Sequence, residues 1–317
     1  MIDRNGGDTD DHPTTVPVSA TFSLARTCAP AWWAGDRLPD MGWDGAFTRV
    51  DHEGGTVVIR RATGSPGSLL VEGTGDAAGD IRWVRRVLGS RDLAPLGPDP
   101  TIVRLSARYP GVHPLASGSL YAGLLTSIIG QGVTVTAAAT FQARLARSFA
   151  GAVVWGRQEG SRGFWPLPLA EDLSMADLAS VRACGVTGRR AAALVAVARH
   201  AADGGLPSPE VALADPVSVE ALLRDLPLVG PWTARSALLW GVGADDAYPP
   251  GDAALLRAAR RAYDDDGLDQ RGLEQVSEGW RPSRGRAARL LWVDLLGVPV
   301  VGETGPTGGV GPSGGAR

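Results

Sequence analysis

The chain has 317 residues, 44% hydrophobic and 21% charged, enough for one large or two ordinary domains with real cores. The formal net charge of −3 argues against a bulk polyanion binder, and no apolar run approaches the roughly 18 residues of a membrane span. No lysine occurs, all 31 basic residues being arginine; a lysine Schiff base and a P-loop lysine are therefore excluded.

Taken in chain order, residues 1–20 are polar, with Asp3, Asp8, Asp10 and Asp11 against Arg4 alone. A basic start followed by an apolar run is missing, so a secretory signal is not expected. The segment reads as disordered. Residues 21–99 read as an antiparallel α+β domain. Thr56–Arg60 and Ser68–Glu72 are β-prone runs bounded by glycines, and Phe47–Val50 with Asp51–Gly55 looks like a hairpin arm and its loop. Ile81–Leu88 is helical in pattern. From about Pro100 to 301 the texture is all-α. Leu120, Leu124, Leu125, Ile128 and Ile129 repeat at helical spacing, and Val135–Phe149 continues the pattern. Further helices fit Ala176–Ala183, Arg189–Ala202, Val217–Leu223, Pro231–Trp240, Asp252–Tyr263 and Pro282–Leu296. Residues 302–317 read as a flexible tail of Gly, Pro, Thr and Ser. The fold class expected is α+β, an N-terminal antiparallel sheet domain followed by an all-helical domain.

The segment richest in chemistry is Leu226-Pro227-Leu228-Val229-Gly230-Pro231-Trp232-Thr233-Ala234. A helix ends, a Pro/Gly turn follows, and Pro231 sits where a first helical turn starts. Such a helix start presents unpaired backbone N–H groups that can hold a phosphate without lysine. Val229, Gly230 and Thr233 are the candidate phosphate contacts. Asp252 follows Gly251 and precedes an Ala-Ala-Leu-Leu run, the position of an N-cap. Arg281, Arg284, Arg286 and Arg289 crowd one helix. Most such runs are solvated faces; Arg284 is the candidate for phosphate. Cys28 and Cys184, the two cysteines, cannot build a four-cysteine zinc or iron–sulfur site. No metal is expected, and a cytoplasmic location is the default for such cysteine usage.

These segments, in order, resemble the helix-hairpin-helix (HhH-GPD) DNA glycosylase superfamily, and within it the 3-methyladenine DNA glycosylase II branch. Ile128-Ile129-Gly130-Gln131 resembles the family's Gly-Gln helix end, and Cys184–Ala191 its glycine turn before a helix. The hairpin with the Asp252 loop follows. Trp280-Arg281-Pro282-Ser283-Arg284 through Trp292 resembles the closing helix. The resemblance implies that Asp252 is catalytic, that Trp232, Trp292 and Gln131 belong to the base pocket, and that damaged double-stranded DNA is the partner of a monomer. Trp232 stands where the lyase-competent relatives carry their nucleophilic lysine. The implied activity is therefore monofunctional hydrolysis of the N-glycosidic bond of an alkylated purine in base excision repair. No cofactor or iron–sulfur cluster is implied; a monovalent cation at the hairpin is the one ion left open.

Three departures stand out. Leu228 replaces the hairpin's usual first glycine, and Leu is strained if that position needs φ > 0. Gly132 occupies a position that often fills the gap left by a flipped base, and glycine cannot fill it. Ser236 and Ala253 stand where the type enzyme has aromatics. Two other readings follow from these departures: a non-catalytic helix-hairpin-helix DNA-binding protein, and a glycosylase for a bulky or oxidised purine.

Overall fold

The computed structural model describes residues 13–299 apart from 20, 51–55, 63–66, 74–76, 90–92, 151–152 and 155–162. The 51–55 loop and the 302–317 tail lie outside the described residues, as do residues 1–12.

The N-terminal layer is built from β1 (Thr14–Pro17), α1 (Leu24–Thr27), α2 (Ala29–Trp33), β2 (Met41–Trp43), β3 (Phe47–Val50), β4 (Thr56–Arg61), β5 (Ser68–Gly73) and α3 (Ala77–Leu88). Its five strands form one antiparallel sheet in the order β1-β5-β4-β3-β2. Phe47 pairs with Ile59, and Ile59 with Val71. Strand side chains alternate between faces, so these cross-strand partners share one side. They are buried there against Val84, Val87 and Leu88 of α3 and Leu24 and Ala31 of α1 and α2.

The strand β1 corrects the expectation of disorder through residue 20. Thr14–Pro17 lies within that polar segment yet pairs with β5. Val16 is the reason: it is fully buried in the sheet's core. Pro17, which cannot donate to a ladder, is tolerated because β1 is an edge strand.

The second layer is mainly helical: α4 (Pro100–Arg108), α5 (Leu120–Gly130), α6 (Val135–Phe149), then β6 (Val153–Val154) and β7 (Gly163–Phe164). It continues with α7 (Ala170–Ser174), α8 (Leu178–Ala183), α9 (Gly188–Ala202), α10 (Pro209–Ala214), α11 (Pro216–Leu223), α12 (Pro231–Ala237), α13 (Ala253–Tyr263), α14 (Gln270–Ser277) and α15 (Arg284–Leu296). The β6–β7 ladder, two residue pairs long, lies within this otherwise helical half. Capping explains where the helices begin. Ser119, Thr134, Asp177, Thr187, Ser208, Asp215 and Asp269 each accept a first-turn N–H at their side-chain oxygen.

Two features aim the hairpin helix. It runs from α12 into a π-helical turn over Leu238–Val242, closed by left-handed Gly243. It also crosses α5 at very short range. A Cβ on Gly123 would come 2.6 Å from the Ala237 carbonyl and 2.7 Å from the Gly241 Cα. No side chain fits there, so the glycine pair fixes how closely the two helices approach.

Candidate active site

The hairpin joins α11 to α12. Val229 N–H donates to the Leu226 carbonyl across 3.2 Å, closing a tight turn with Pro227 and Leu228 at its centre. Leu228 adopts φ 62°, the left-handed region expected at the third position of a type II turn. The sequence places a leucine where backbone geometry favours glycine, and the leucine takes up that geometry. Its side chain is half-buried and packs on the helical core.

The Gly-Gln segment braces this turn. Gln131 Nε2 donates to the Leu228 carbonyl and to Thr233 Oγ1, both at 2.9 Å. Gln131 has φ −55°, ψ 118° and Gly132 has φ 61°, with Val133 N–H donating to the Gly130 carbonyl at 3.4 Å. This is a second type II turn, here with glycine in the left-handed position. Arg190, at the start of α9, donates to the Gln131 carbonyl. The Gln131 amide therefore faces the hairpin, because two acceptors claim its N–H groups. A Cβ on Gly132 would meet nothing within 4 Å, so space for a wedge exists but no side chain occupies it.

Gly230 caps α12 without a side chain. The backbone N–H groups of Gly230, Trp232 and Thr233 make no hydrogen bond among the described residues. They are the groups available to a phosphate. Val229 is not, because it is buried and its N–H closes the turn. The Thr233 side chain is also buried, its hydroxyl accepting from Gln131, so Thr233 can offer only its backbone.

Trp232 and Asp252 meet although 20 residues separate them. Trp232 Nε1 donates to Asp252 Oδ2 at 2.9 Å, and Leu255 N–H donates to Asp252 Oδ1 at 2.7 Å. Asp252 thus caps α13 with one oxygen and anchors the indole with the other. Both residues are half-buried. Gln270 Nε2 reaches the Asp252 carbonyl at 3.4 Å, tying α14 to the same point. Nothing in the sequence marks Gln270 or Arg190 for these contacts, since each depends on a fold-level approach.

Two site expectations are corrected. Trp292 is 5% exposed and belongs to the helical core. It stacks on Trp240 with ring centroids 5.5 Å apart, and the Arg289 guanidinium lies over Trp240 at 4.1 Å. It packs against protein and presents no free face to a base. Arg284 is likewise engaged: it donates to Asp246 from Nε (3.1 Å) and Nη2 (2.9 Å), and to Glu278 from Nη1 (2.9 Å). Two carboxylates hold the guanidinium through three of its five N–H donors and offset its charge, so a phosphate would have to compete with them.

A cleft of about 960 Å³ runs beside α12, lined by Pro231, Arg235, Tyr248 and Pro250 among others. Neither Trp232 nor Asp252 lines it. Among the described residues no group of three or more His, Cys, Asp or Glu could hold a metal ion, and no helix is long and apolar enough to cross a membrane.

The geometry has counterparts in known proteins. Residues 125–282, which include the Gly-Gln turn, the hairpin and Asp252, match the HhH-GPD superfamily base excision DNA repair protein family. The chain is 28% identical over 192 residues to DNA-3-methyladenine glycosylase 2 of Escherichia coli, covering 60% of this chain and 62% of that protein. It thus spans about six tenths of the length of the curated relatives it matches. Among solved structures, a 3-methyladenine DNA-glycosylase from Archaeoglobus fulgidus superposes with a TM-score of 0.71 at 18% identity, over 88% of this chain and 97% of that one. The 8-oxoguanine glycosylase/lyase of Clostridium acetobutylicum superposes with a TM-score of 0.66 at 15% identity, over 86% and 92%. At such identities the two structures establish the shared fold. With the hairpin, the capped aspartate and the family match in agreement, the chain belongs to the HhH-GPD superfamily of base excision DNA repair proteins.

Proposed function

We propose that the protein is a monofunctional DNA glycosylase that hydrolyses the N-glycosidic bond of alkylated purines in double-stranded DNA, with Asp252 as its catalytic residue. The observation that carries this reading is the hydrogen bond from Trp232 Nε1 to Asp252 Oδ2. It sets a carboxylate at the edge of the Trp232 indole, beside the end of the hairpin. Each Asp252 oxygen takes one N–H donor and keeps a lone pair. The carboxylate can therefore stabilise the oxocarbenium-like sugar as the base departs, and orient or deprotonate the attacking water.

The indole hydrogen bond also fixes the plane of the Trp232 ring. An alkylated purine is cationic or electron-poor, and an aromatic face attracts such a ring by roughly 0.5–2 kcal/mol. The absence of lysine from the sequence supports hydrolysis without strand cleavage, since no side-chain amine is present to form a Schiff base. The free N–H groups of Gly230, Trp232 and Thr233 are proposed to seat one DNA phosphate. The chain is proposed to act as a cytoplasmic monomer without cofactor. The small, exposed side chain of Ala253, next to Asp252, favours a second reading, in which the accepted purine is bulkier or oxidised. Incubation with a panel of lesion duplexes, followed by heating in alkali, tests both. Abasic sites at alkylated purines support the first reading, abasic sites only at oxidised or bulky purines the second, and none with any lesion refutes catalysis.

A further inference from the structure

Between the sheet layer and helices α4 and α15 lies a cavity of about 380 Å³. Ser19 and Thr21 stand at its exposed mouth, with Ser106 and Tyr109 on one wall, and His113 and Arg286 buried at its base. Arg286 is the one charged residue among the described lining, and no carboxylate lines the cavity. Neither Asp252 nor Trp232 belongs to it.

Arg286 is 8% exposed and has no ion-pair partner among the described residues. Its Nη2 donates to the Ala94 carbonyl and to Ser283 Oγ, both neutral acceptors, and its Nε is buried with no partner. Burial pulls its pKa down, and the Asp245 carboxylate opposes that only in part. Asp245 also faces Arg289, which is fully buried against the Leu115 and Leu239 carbonyls. One carboxylate thus serves two buried guanidinium groups, while its own Oδ1 makes no hydrogen bond. His113 does not restore the balance. Its Nδ1 lies 3.0 Å from the Gly89 carbonyl, and burial lowers its pKa, which keeps the ring neutral near pH 7. The region therefore carries an uncompensated positive charge, which is costly in a protein interior.

We propose that this cavity binds a small oxyanion, a phosphate ester or a carboxylate, seated on Arg286 at its base with the Ser19 and Thr21 hydroxyls at its mouth. Ser19 and Thr21 share one hydrogen bond of 2.9 Å, so one of the two hydroxyl protons stays free for a ligand. The volume falls within the roughly 300–1,000 Å³ of small-molecule sites and exceeds that of a bare anion. The apolar side chains of Leu96 and Leu290 in the lining suit a compact organic group attached to the anion. The proposal does not depend on the glycosylase reading and survives its failure.

Isothermal titration calorimetry on the full chain tests it, with inorganic phosphate and acetate as probes in sodium chloride of matched ionic strength. Saturable binding of one anion per chain is expected. Tighter phosphate binding points to a phosphate ester and tighter acetate binding to a carboxylate. The Ser19→Ala, Thr21→Val double variant should weaken binding about tenfold, the effect of one lost charge-assisted hydrogen bond, and Arg286→Gln should abolish it. If Arg286→Gln does not fold, the double variant, which removes only peripheral hydroxyls, decides. Absence of saturable heat with both probes overturns the proposal. So does binding that is unchanged in the double variant, because the anion then sits elsewhere.

Discussion

The indole N–H of Trp232 is the only side-chain donor to the Asp252 carboxylate among the described residues. Trp232→Phe keeps an aromatic face and removes that donor. A hydrogen bond to a charged group contributes about 1.5–3 kcal/mol, so single-turnover base release should slow about tenfold or more while the fold persists. Unchanged release would separate the indole from the chemistry. Leu228 raises a different question at the same scale. Its φ of 62° costs a non-glycine residue about 1–2 kcal/mol. Leu228→Gly removes that strain but forfeits half-buried packing and adds freedom to the unfolded chain, so a net gain of up to about 1 kcal/mol is expected in urea denaturation. A loss of stability would show that the leucine contributes more by packing than it costs in backbone strain. All three residues stood out in the sequence, Trp232 and Asp252 through the family resemblance and Leu228 as a misfit in a glycine turn. Arg284 was not, because its partner Asp246 lies 38 residues away and only the folded α15 brings them together.

Among the elements, those with local signals were the ones the sequence revealed. The helices at Leu120–Gly130 and Val135–Phe149 follow apolar periodicity, with Ser119 and Thr134 marking their starts. The strand β1 carried no such signal. Thr14 and Thr15 are polar and Pro17 cannot donate to a ladder, so the strand depends on the burial of Val16 and on pairing with β5. The π-helical turn over Leu238–Val242 was also hidden, since its sequence reads as an uninterrupted helix. Elements are coupled at the site by Gln131, whose amide links the end of α5 to the hairpin and to α12. Gln131→Leu preserves bulk and removes both bonds, leaving the Leu228 carbonyl without this donor. The hairpin should loosen at a cost of about 1–2 kcal/mol, read as weaker binding to an abasic-analogue duplex. Equal binding by variant and wild type would limit Gln131 to filling space.

At the scale of the whole molecule, charge bears on the proposed binding of DNA. The chain is net negative, and several arginines near the site are already paired within the fold. Arg235 pairs with Glu220, Arg281 with Asp246 and Glu278, and Arg289 is buried. Binding through a few backbone N–H groups and few arginines predicts a shallow salt dependence. The logarithm of affinity should fall with the logarithm of salt by no more than about 4, given about 0.9 per phosphate neutralised on duplex DNA. A much steeper slope in a salt titration would reveal a broad cationic face.

Asp252 is proposed to drive base release without cutting the strand. Single-turnover incubation of wild type and Asp252→Asn with a duplex carrying one alkylated purine tests it most directly, with product read before and after alkali and after borohydride. Asparagine can still accept the Leu255 N–H, so the variant should fold and bind the duplex. Alkali-dependent strand breaks with the wild type, no borohydride-trapped adduct, and no detectable base release by the variant are expected. Near-normal release by Asp252→Asn, or strand cleavage without alkali by the wild type, would contradict this proposal.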